Sequence, residues 1–152
     1  MIKFVFLMFM KEVFVTRRER FNAAHRLFNP SWSDDKNESV FGKCSNKNWH
    51  GHNYEMIVTV KGEVDKDSGM LINLKILSKI IKEEILDKVD HKNLNVDVPF
   101  LKGIITSTEN VTIKFWEVIE KRLKSTKGAN CSLHKIRVYE TPRNFIDYYG
   151  EK

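Results

Sequence analysis

A two-residue alternation that begins at His50 constrains the fold of this chain more than any other feature. The even positions are His50, His52, Tyr54, Met56, Val58 and Val60, whereas the odd positions include Asn53, Glu55, Thr59 and Lys61. This alternation is typical of a β-strand with one buried face. Because residues two apart share a face of a strand, the sequence predicts that both imidazoles point into the core.

Two histidines on a core face need polar partners, because burying a polar group without one costs about 2–7 kcal/mol. Hydrogen bonds within the core and a bound metal ion would both satisfy them. A third histidine favours the metal, since His25 falls on the same face as Phe21, Ala23 and Leu27 of a strand predicted from about Val13 to Leu27. Three histidines with an open fourth position are typical of catalytic zinc.

That first predicted strand has one irregular feature. Arg17 and Glu19 fall on its apolar face, which predicts either a bulge or a stretch exposed to solvent. A polar segment follows from Asn29 to Lys43 and is expected to be a loop with one helical turn between Asp35 and Val40. This loop leads into Cys44.

Two amphipathic helices are predicted after the second strand. The first begins near Asn73 as N-cap and ends at about residues 89–91, and the second begins with a capping box that has Thr106 at the N-cap and Glu109 at N3. A two-residue alternation of apolar and polar residues then returns at Ile136 and Val138, and a last short strand is predicted from Phe145 to Tyr149. The order of elements predicts an α+β fold, a four-stranded antiparallel sheet with two helices on one face.

Length and charge limit the classes of function. The 152 residues fit one domain, predicted as residues 1–152 with 1–11 as a poorly constrained N-terminal extension. Met1–Met10 is apolar but shorter than the roughly 20 residues of a membrane span, and a secretory signal is the less favoured alternative. Cys44 and Cys131 are expected to be free thiols of a cytoplasmic protein. The net charge of +6 is spread among residues of both signs, which favours a small anionic substrate over nucleic acid.

Seven short motifs occur in the order found in the 6-pyruvoyl-tetrahydropterin synthase family. They are Phe21–Leu27, Phe41–Cys44, His50–Tyr54, Gly62–Asp65, Asp90–Leu94, Thr108–Val111 and Val138–Thr141. The chain resembles this family from Val15 to Glu151. The resemblance implies the tunnelling fold, in which sheets of three subunits join into a β-barrel and two trimers stack into a homohexamer with active sites between subunits.

The resemblance also implies an activity and a metal. The family converts 7,8-dihydroneopterin triphosphate to 6-pyruvoyl-tetrahydropterin with loss of triphosphate, a step toward tetrahydrobiopterin. By similarity, His25, His50 and His52 are the Zn²⁺ ligands. A zinc ion would act as a Lewis acid on the substrate side chain. The basic balance of the chain suits a triphosphate, although the sequence singles out no particular lysine or arginine.

Three further residues match the proton-transfer groups of the family. Cys44 matches the base, and Asp90 and His91 match the pair that activates it. Without the resemblance, the favoured interpretation of Asp90 and His91 is the end of a helix, where a histidine interacts favourably with the helix dipole.

The remaining matches concern the pterin. Glu140 falls on the inward face of the strand that contains Ile136 and Val138, and an inward carboxylate can accept two adjacent pterin N–H groups. As a residue near a strand end, it could also lie at the rim. Ser107, Thr108 and Glu109 match a second pterin-contacting segment, expected from a neighbouring subunit, although Glu109 could act only as the capping-box carboxylate.

Two alternatives remain open from the sequence. One is the related 6-carboxy-tetrahydropterin synthase of queuosine biosynthesis, in which the cysteine lies closer to the His-x-His pair than the six positions that separate Cys44 from His50 here. The other is a non-catalytic zinc-binding assembly module. One departure from the family pattern is Trp49, which stands where a small residue is common.

Overall fold

The computed structural model describes residues 11–151 of the chain, and the predicted extension Met1–Met10 lies outside this part. Five strands form one sheet. They are β1 (Glu12–His25), β2 (His50–Glu63), β3 (Lys92–Asn93), β4 (Ser132–Tyr139) and β5 (Phe145–Tyr148). The helices are α1 (Asp34–Phe41), α2 (Leu74–Ile81), α3 (Asp87–Val89) and α4 (Thr108–Ser125), and a π-helical turn at Lys82–Leu86 joins α2 to α3.

The sheet confirms the α+β class but differs in detail from the prediction. Its strand order is β3-β1-β2-β4-β5, and the four long strands pair antiparallel as expected. The two-residue strand β3 adds to the edge of β1 in the parallel direction, so the sheet is mixed and has five strands. Two residues carry no periodicity, and for this reason β3 gives no signal in the sequence.

Strand β1 contains no bulge, so of the two predicted alternatives only exposure to solvent remains, and the Arg17 side chain is 42% exposed. The pairing of β1 with β2 is unbroken from Glu12 opposite Glu63 to His25 opposite His50. Arg17 and Glu19, which share a face, form an ion pair of 2.7 Å and thereby satisfy each other without a change of register. The irregularity lies instead between β2 and β4, where the register shifts between Thr59 and Val60.

The helix starts were predicted with mixed success. Asn73 is the N-cap of α2 and accepts a hydrogen bond from the backbone N–H of Lys75, as predicted. The N-cap of α4 is Ser107 rather than Thr106, so Glu109 lies at N2 instead of N3. In α1 the predicted single turn is extended to eight residues, with Ser33 as its N-cap.

The core lies between the helices and one face of the sheet. The even-numbered residues of β2 from Tyr54 to Val60 are buried there as predicted, together with Phe115 and Ile119 of α4. Within residues 11–151, no helix is long and apolar enough to cross a membrane. The core face of β1 and β2 ends at its histidines, and these form the candidate site.

Candidate active site

The register of β1 against β2 brings the three predicted histidines together. His25 is directly opposite His50, and Ala23 is opposite His52, so all three imidazoles lie on the core face. Their nearest ring nitrogens lie within 4.8 Å of one another, a separation that one metal ion can bridge. The predicted metal-binding cluster is therefore present, and the set of donors fits a metal cofactor.

The protonation of His25 follows from its hydrogen bond. Its Nδ1 lies 2.8 Å from the carbonyl oxygen of Thr106, and its side chain is only 1% exposed. A carbonyl can only accept, so Nδ1 carries the proton and Nε2 keeps its lone pair. This is the tautomer that a metal ligand needs.

Several ring nitrogens of the cluster are buried without a partner. Within the described part of the chain, Nε2 of His25, both nitrogens of His50 and Nε2 of His52 make no hydrogen bond. Buried polar atoms of native proteins are normally paired, so this concentration of unpartnered nitrogens at one point fits a cation. Hydrogen bonds within the core, the alternative from the sequence, account only for Nδ1 of His25.

Burial favours the neutral form of two of these imidazoles, those of His25 and His50. It lowers the pKa of His25, although the bond to Thr106 acts in the opposite direction. It also lowers the pKa of His50, and the neighbouring His52 adds to this effect. A neutral imidazole is the form that binds a metal ion, so the electrostatics agree with the geometry.

Glu140 points inward as predicted and reaches the histidine cluster. Its Oε1 lies 3.5 Å from Nε2 of His25 and 3.8 Å from Nε2 of His52. The same oxygen accepts a hydrogen bond of 2.8 Å from the hydroxyl of Thr108. The carboxylate thus lies between the histidines and the start of α4, with 24% of its side chain exposed.

A cavity of about 420 Å³ opens beside this carboxylate. Its lining includes Glu140 and the predicted segment Ser107, Thr108 and Glu109, all from the same chain. Within residues 11–151 of one chain, the hydrogen bond from Thr108 joins this segment to Glu140, and the contribution of a neighbouring subunit stays a prediction. Arg143 also lines the cavity, and no sequence pattern indicated it.

Cys44 is held close to the end of β1. Its carbonyl accepts a hydrogen bond of 2.9 Å from the backbone N–H of Leu27, two residues after His25. The thiol is half-buried and forms no disulfide with Cys131. Burial raises the pKa of Tyr54, and the charges of Glu140 and Cys44 add to this shift.

Asp90 and His91 form a pair on the edge of the sheet. Asp90 Oδ1 accepts a hydrogen bond of 2.8 Å from the backbone N–H of Asn22. The backbone N–H of His91 donates a hydrogen bond of 2.6 Å to the Asn22 carbonyl. The other oxygen, Oδ2, lies 3.0 Å from Nδ1 of His91. The bond from Asn22, with help from His91, lowers the pKa of Asp90. Within residues 11–151, no hydrogen bond joins Cys44 to this pair.

The comparison with known proteins identifies the family. A family model described as 6-pyruvoyl tetrahydropterin synthase matches residues 14–151. The chain belongs to this family. A human protein named 6-pyruvoyl tetrahydrobiopterin synthase is 45% identical, covering 90% of this chain and 91% of its own length. A solved structure of Caenorhabditis elegans 6-pyruvoyl tetrahydropterin synthase has a TM-score of 0.85 at 41% identity and covers 93% of this chain and 98% of that one.

A relative named as the alternative carboxy-forming synthase also matches, with lower sequence identity. A Haemophilus influenzae protein named 6-carboxy-5,6,7,8-tetrahydropterin synthase is 30% identical, covering 70% of this chain and 84% of its own length. The family predicted from the seven motifs is confirmed, and the predicted function agrees with the name of the more similar human relative.

The backbone explains why Trp49 is unusual in this family. Its φ of 66° lies in the left-handed region, where side chains are strained and glycine is favoured. The backbone N–H of Trp49 donates to the carbonyl of Asn46 in the turn that delivers His50. A glycine would adopt this φ without strain, so tryptophan is an unfavourable residue for the turn.

Proposed function

We propose that the chain converts 7,8-dihydroneopterin triphosphate to 6-pyruvoyl-tetrahydropterin, with elimination of triphosphate, in tetrahydrobiopterin biosynthesis. One observation supports this above all others: three imidazoles with unpartnered nitrogens meet beside the inward carboxylate of Glu140, in a member of this family. A non-catalytic zinc module would need the histidines alone, without a carboxylate beside them.

His25, His50 and His52 would hold Zn²⁺ in this proposal. Their neutral imidazoles suit the ion, and Nε2 of His25 is available because Nδ1 donates to Thr106. When bound, zinc supplies Lewis-acid polarisation of the substrate side-chain oxygens, which acidifies the adjacent C–H.

Glu140 would anchor the pterin. Its carboxylate can accept two adjacent N–H groups of the ring, while Thr108 fixes its position through the 2.8 Å hydrogen bond. Ser107 and Glu109 would complete the walls of the cavity. Anchoring the ring in this cavity would leave the substrate side chain within reach of the histidines, since Glu140 lines the cavity and also lies close to His25 and His52.

Cys44 would remove the proton of the activated C–H, with Asp90 and His91 exchanging protons with it. Asp90 holds Nδ1 of His91 at 3.0 Å, which leaves Nε2 free to give or take a proton. Because the pair makes no hydrogen bond to Cys44 within the described part of one chain, the proposal includes active sites shared between subunits of a homohexamer, a dimer of trimers. The two free thiols fit a cytoplasmic protein.

The deciding experiment is incubation of zinc-loaded protein with 7,8-dihydroneopterin triphosphate, with products identified by mass spectrometry. A pyruvoyl-pterin with released triphosphate is expected. A carboxy-pterin would instead support the rival synthase, and unchanged substrate would support a non-catalytic module.

Cys44→Ala tests the assignment of the base. The variant should keep zinc and lose turnover by a factor of about 10²–10⁴, the usual contribution of a general acid or base. Cys131→Ala is the matched control, since it removes the other partly buried thiol of the chain. Normal turnover by Cys44→Ala would contradict the assignment.

A further inference from the structure

Behind the three-histidine site lies a hydrogen-bond network centred on Asn95. Its Oδ1 accepts from the backbone N–H of Arg26 at 2.9 Å and from the hydroxyl of Thr106 at 3.0 Å. Its Nδ2 donates to the carbonyl of Arg26 at 2.9 Å. The side chain therefore bonds the residue that follows His25 and also the residue whose carbonyl accepts from His25.

The direction of every bond in this network is fixed by chemistry. A backbone N–H can only donate and a carbonyl can only accept, so the two bonds to Arg26 determine which end of the Asn95 amide is oxygen. Oδ1 can only accept, and the Thr106 hydroxyl must therefore donate to it. The carbonyl of Thr106 in turn requires the proton on Nδ1 of His25.

We propose that Asn95 is a positioning residue of the metal site, which fixes the tautomer and the orientation of His25 by clamping Arg26 and Thr106 together. The inference rests on the proposed function, because it assigns Asn95 a part in metal binding. Asn95 itself does not touch the metal or the substrate.

The chain separations explain why such a clamp is needed. Arg26 and Thr106 are 80 residues apart, and although the Thr106 hydroxyl oxygen lies 3.4 Å from the Arg26 carbonyl, its one proton is already donated to Asn95 at 3.0 Å. Asn95 supplies three shorter bonds across the same gap. Thr106 is fully buried, so water cannot replace a lost partner at its hydroxyl without a rearrangement of the core.

Asn95→Ala removes the clamp and leaves all three histidines in place. Outer partners of metal ligands typically contribute 10–100-fold to affinity, and we expect Zn²⁺ affinity to fall about tenfold in this variant. Asn95→Asp keeps an oxygen that accepts from the Arg26 N–H and from Thr106 but turns a second acceptor toward the Arg26 carbonyl in place of Nδ2, so its affinity should lie between those of Asn95→Ala and wild type.

Asn37→Ala is the matched control for general destabilisation. Asn37 is 1% exposed, and its side-chain amide donates to the carbonyls of Asn29, Trp32 and Ser33 beside α1. Its loss should destabilise the fold at least as much as the loss of Asn95. Because Asn37 makes no bond to the segment that holds His25, Zn²⁺ affinity should remain within about twofold of wild type.

Two measurements test the proposal on the full chain. Competition with a chelator gives the Zn²⁺ affinity, and NMR of metal-free protein reports the slowly exchanging Nδ1–H of His25. Asn95→Ala should lose both affinity and the protected Nδ1–H signal, with partial rescue in Asn95→Asp.

The inference is overturned if Asn95→Ala binds Zn²⁺ as wild type does, or if Asn37→Ala weakens binding equally. Failure of the wild-type protein to bind Zn²⁺ would contradict the proposed metal site instead. The Nδ1–H signal of metal-free Asn95→Ala would then decide the positioning role alone, since retention of the signal contradicts it.

Discussion

The three-histidine cluster and the Asp90–His91 pair are proposed to act in one reaction, yet they are built in opposite ways. His25 is 1% exposed, whereas the side chain of His91 is 76% exposed. The cluster leaves four of its ring nitrogens unpartnered within residues 11–151, while His91 already has Asp90 as a partner. Strand pairing buries the first group, and a turn at the sheet edge presents the second to solvent.

This difference matches two chemical tasks. A metal site needs neutral imidazoles held at fixed separation, and a buried face of two paired strands provides both. A proton-exchange group needs access to its partner and to solvent, and it benefits from a carboxylate that orients the ring. The backbone of His91 has a φ of 58°, a costly conformation that the two bonds to Asn22 hold in place.

The largest expected effect is at the buried cluster. His50→Ala should reduce Zn²⁺ affinity by more than about 100-fold, because the loss of a direct ligand exceeds the loss of an outer partner. Turnover should be lost with the metal. Metal content after dialysis and chelator competition measure the change.

His134→Ala is the control for this substitution. His134 lies on the same sheet, packed against the Phe14 ring at 4.7 Å, and no described ring of the cluster is among its aromatic contacts. Its zinc content should match wild type. Full zinc binding by His50→Ala would show that the three histidines are not the metal site.

A substitution in the exposed Asp90–His91 pair should lower turnover without changing the zinc content. His91→Ala is expected to reduce turnover by about 10²–10⁴-fold, the range of general acid–base catalysis, with normal zinc content. Its thermal stability should change little, because an exposed side chain contributes little to packing.

Mixing two inactive variants tests whether the pair serves another subunit. If Cys44 and His91 of one site come from different chains, subunits of Cys44→Ala and His91→Ala that are unfolded and reassembled together should recover about a quarter of wild-type activity. Each variant reassembled alone is the control. No recovery, in an assembly shown to contain both variants, would mean that one chain supplies both residues.

Features with a regular period could be predicted from the sequence. The alternation from His50 to Val60 predicted the core face of β2, and the shared face of His25 with Phe21 predicted that this histidine meets the other two. The strand register observed in the structure follows from matching these two faces, because a slip of one residue would expose both. The metal-binding cluster was therefore predictable.

Features that depend on tertiary contacts could not be predicted. The run Thr106-Ser107-Thr108-Glu109 offers three hydroxyls near the start of α4, and a capping box favours the first as N-cap. In the structure Thr106 donates to Asn95 instead, so Ser107 takes the cap. Arg143 and Asn95 lie in loops without periodicity, and Asn95 bonds Arg26, 69 residues away in the chain.

The smallest expected effect is a difference between the histidine cluster and the Asp90–His91 pair in how each makes folding stability depend on pH. In the folded protein, burial holds the pKa values of His25 and His50 below 6.5, the ordinary value for histidine. Unfolded metal-free protein therefore binds more protons than folded protein once the pH falls below about 6.5. Stability should therefore decrease in this window, by up to about 1.4 kcal/mol per pH unit for each extra proton. The pKa of Asp90 is lowered from 3.8, so its contribution is present above that value and is lost only at more acidic pH.

Urea unfolding of metal-free protein from pH 7 to pH 5 measures this difference. His50→Gln should show a shallower loss of stability than wild type, because one of the two groups that take up protons on unfolding has been removed. Asp90→Asn should run parallel to wild type over the same range, since its carboxylate is ionised in both the folded and the unfolded state there. Parallel curves for wild type and His50→Gln would mean that burial does not hold His50 neutral, and the contrast between the two regions would lose its electrostatic basis.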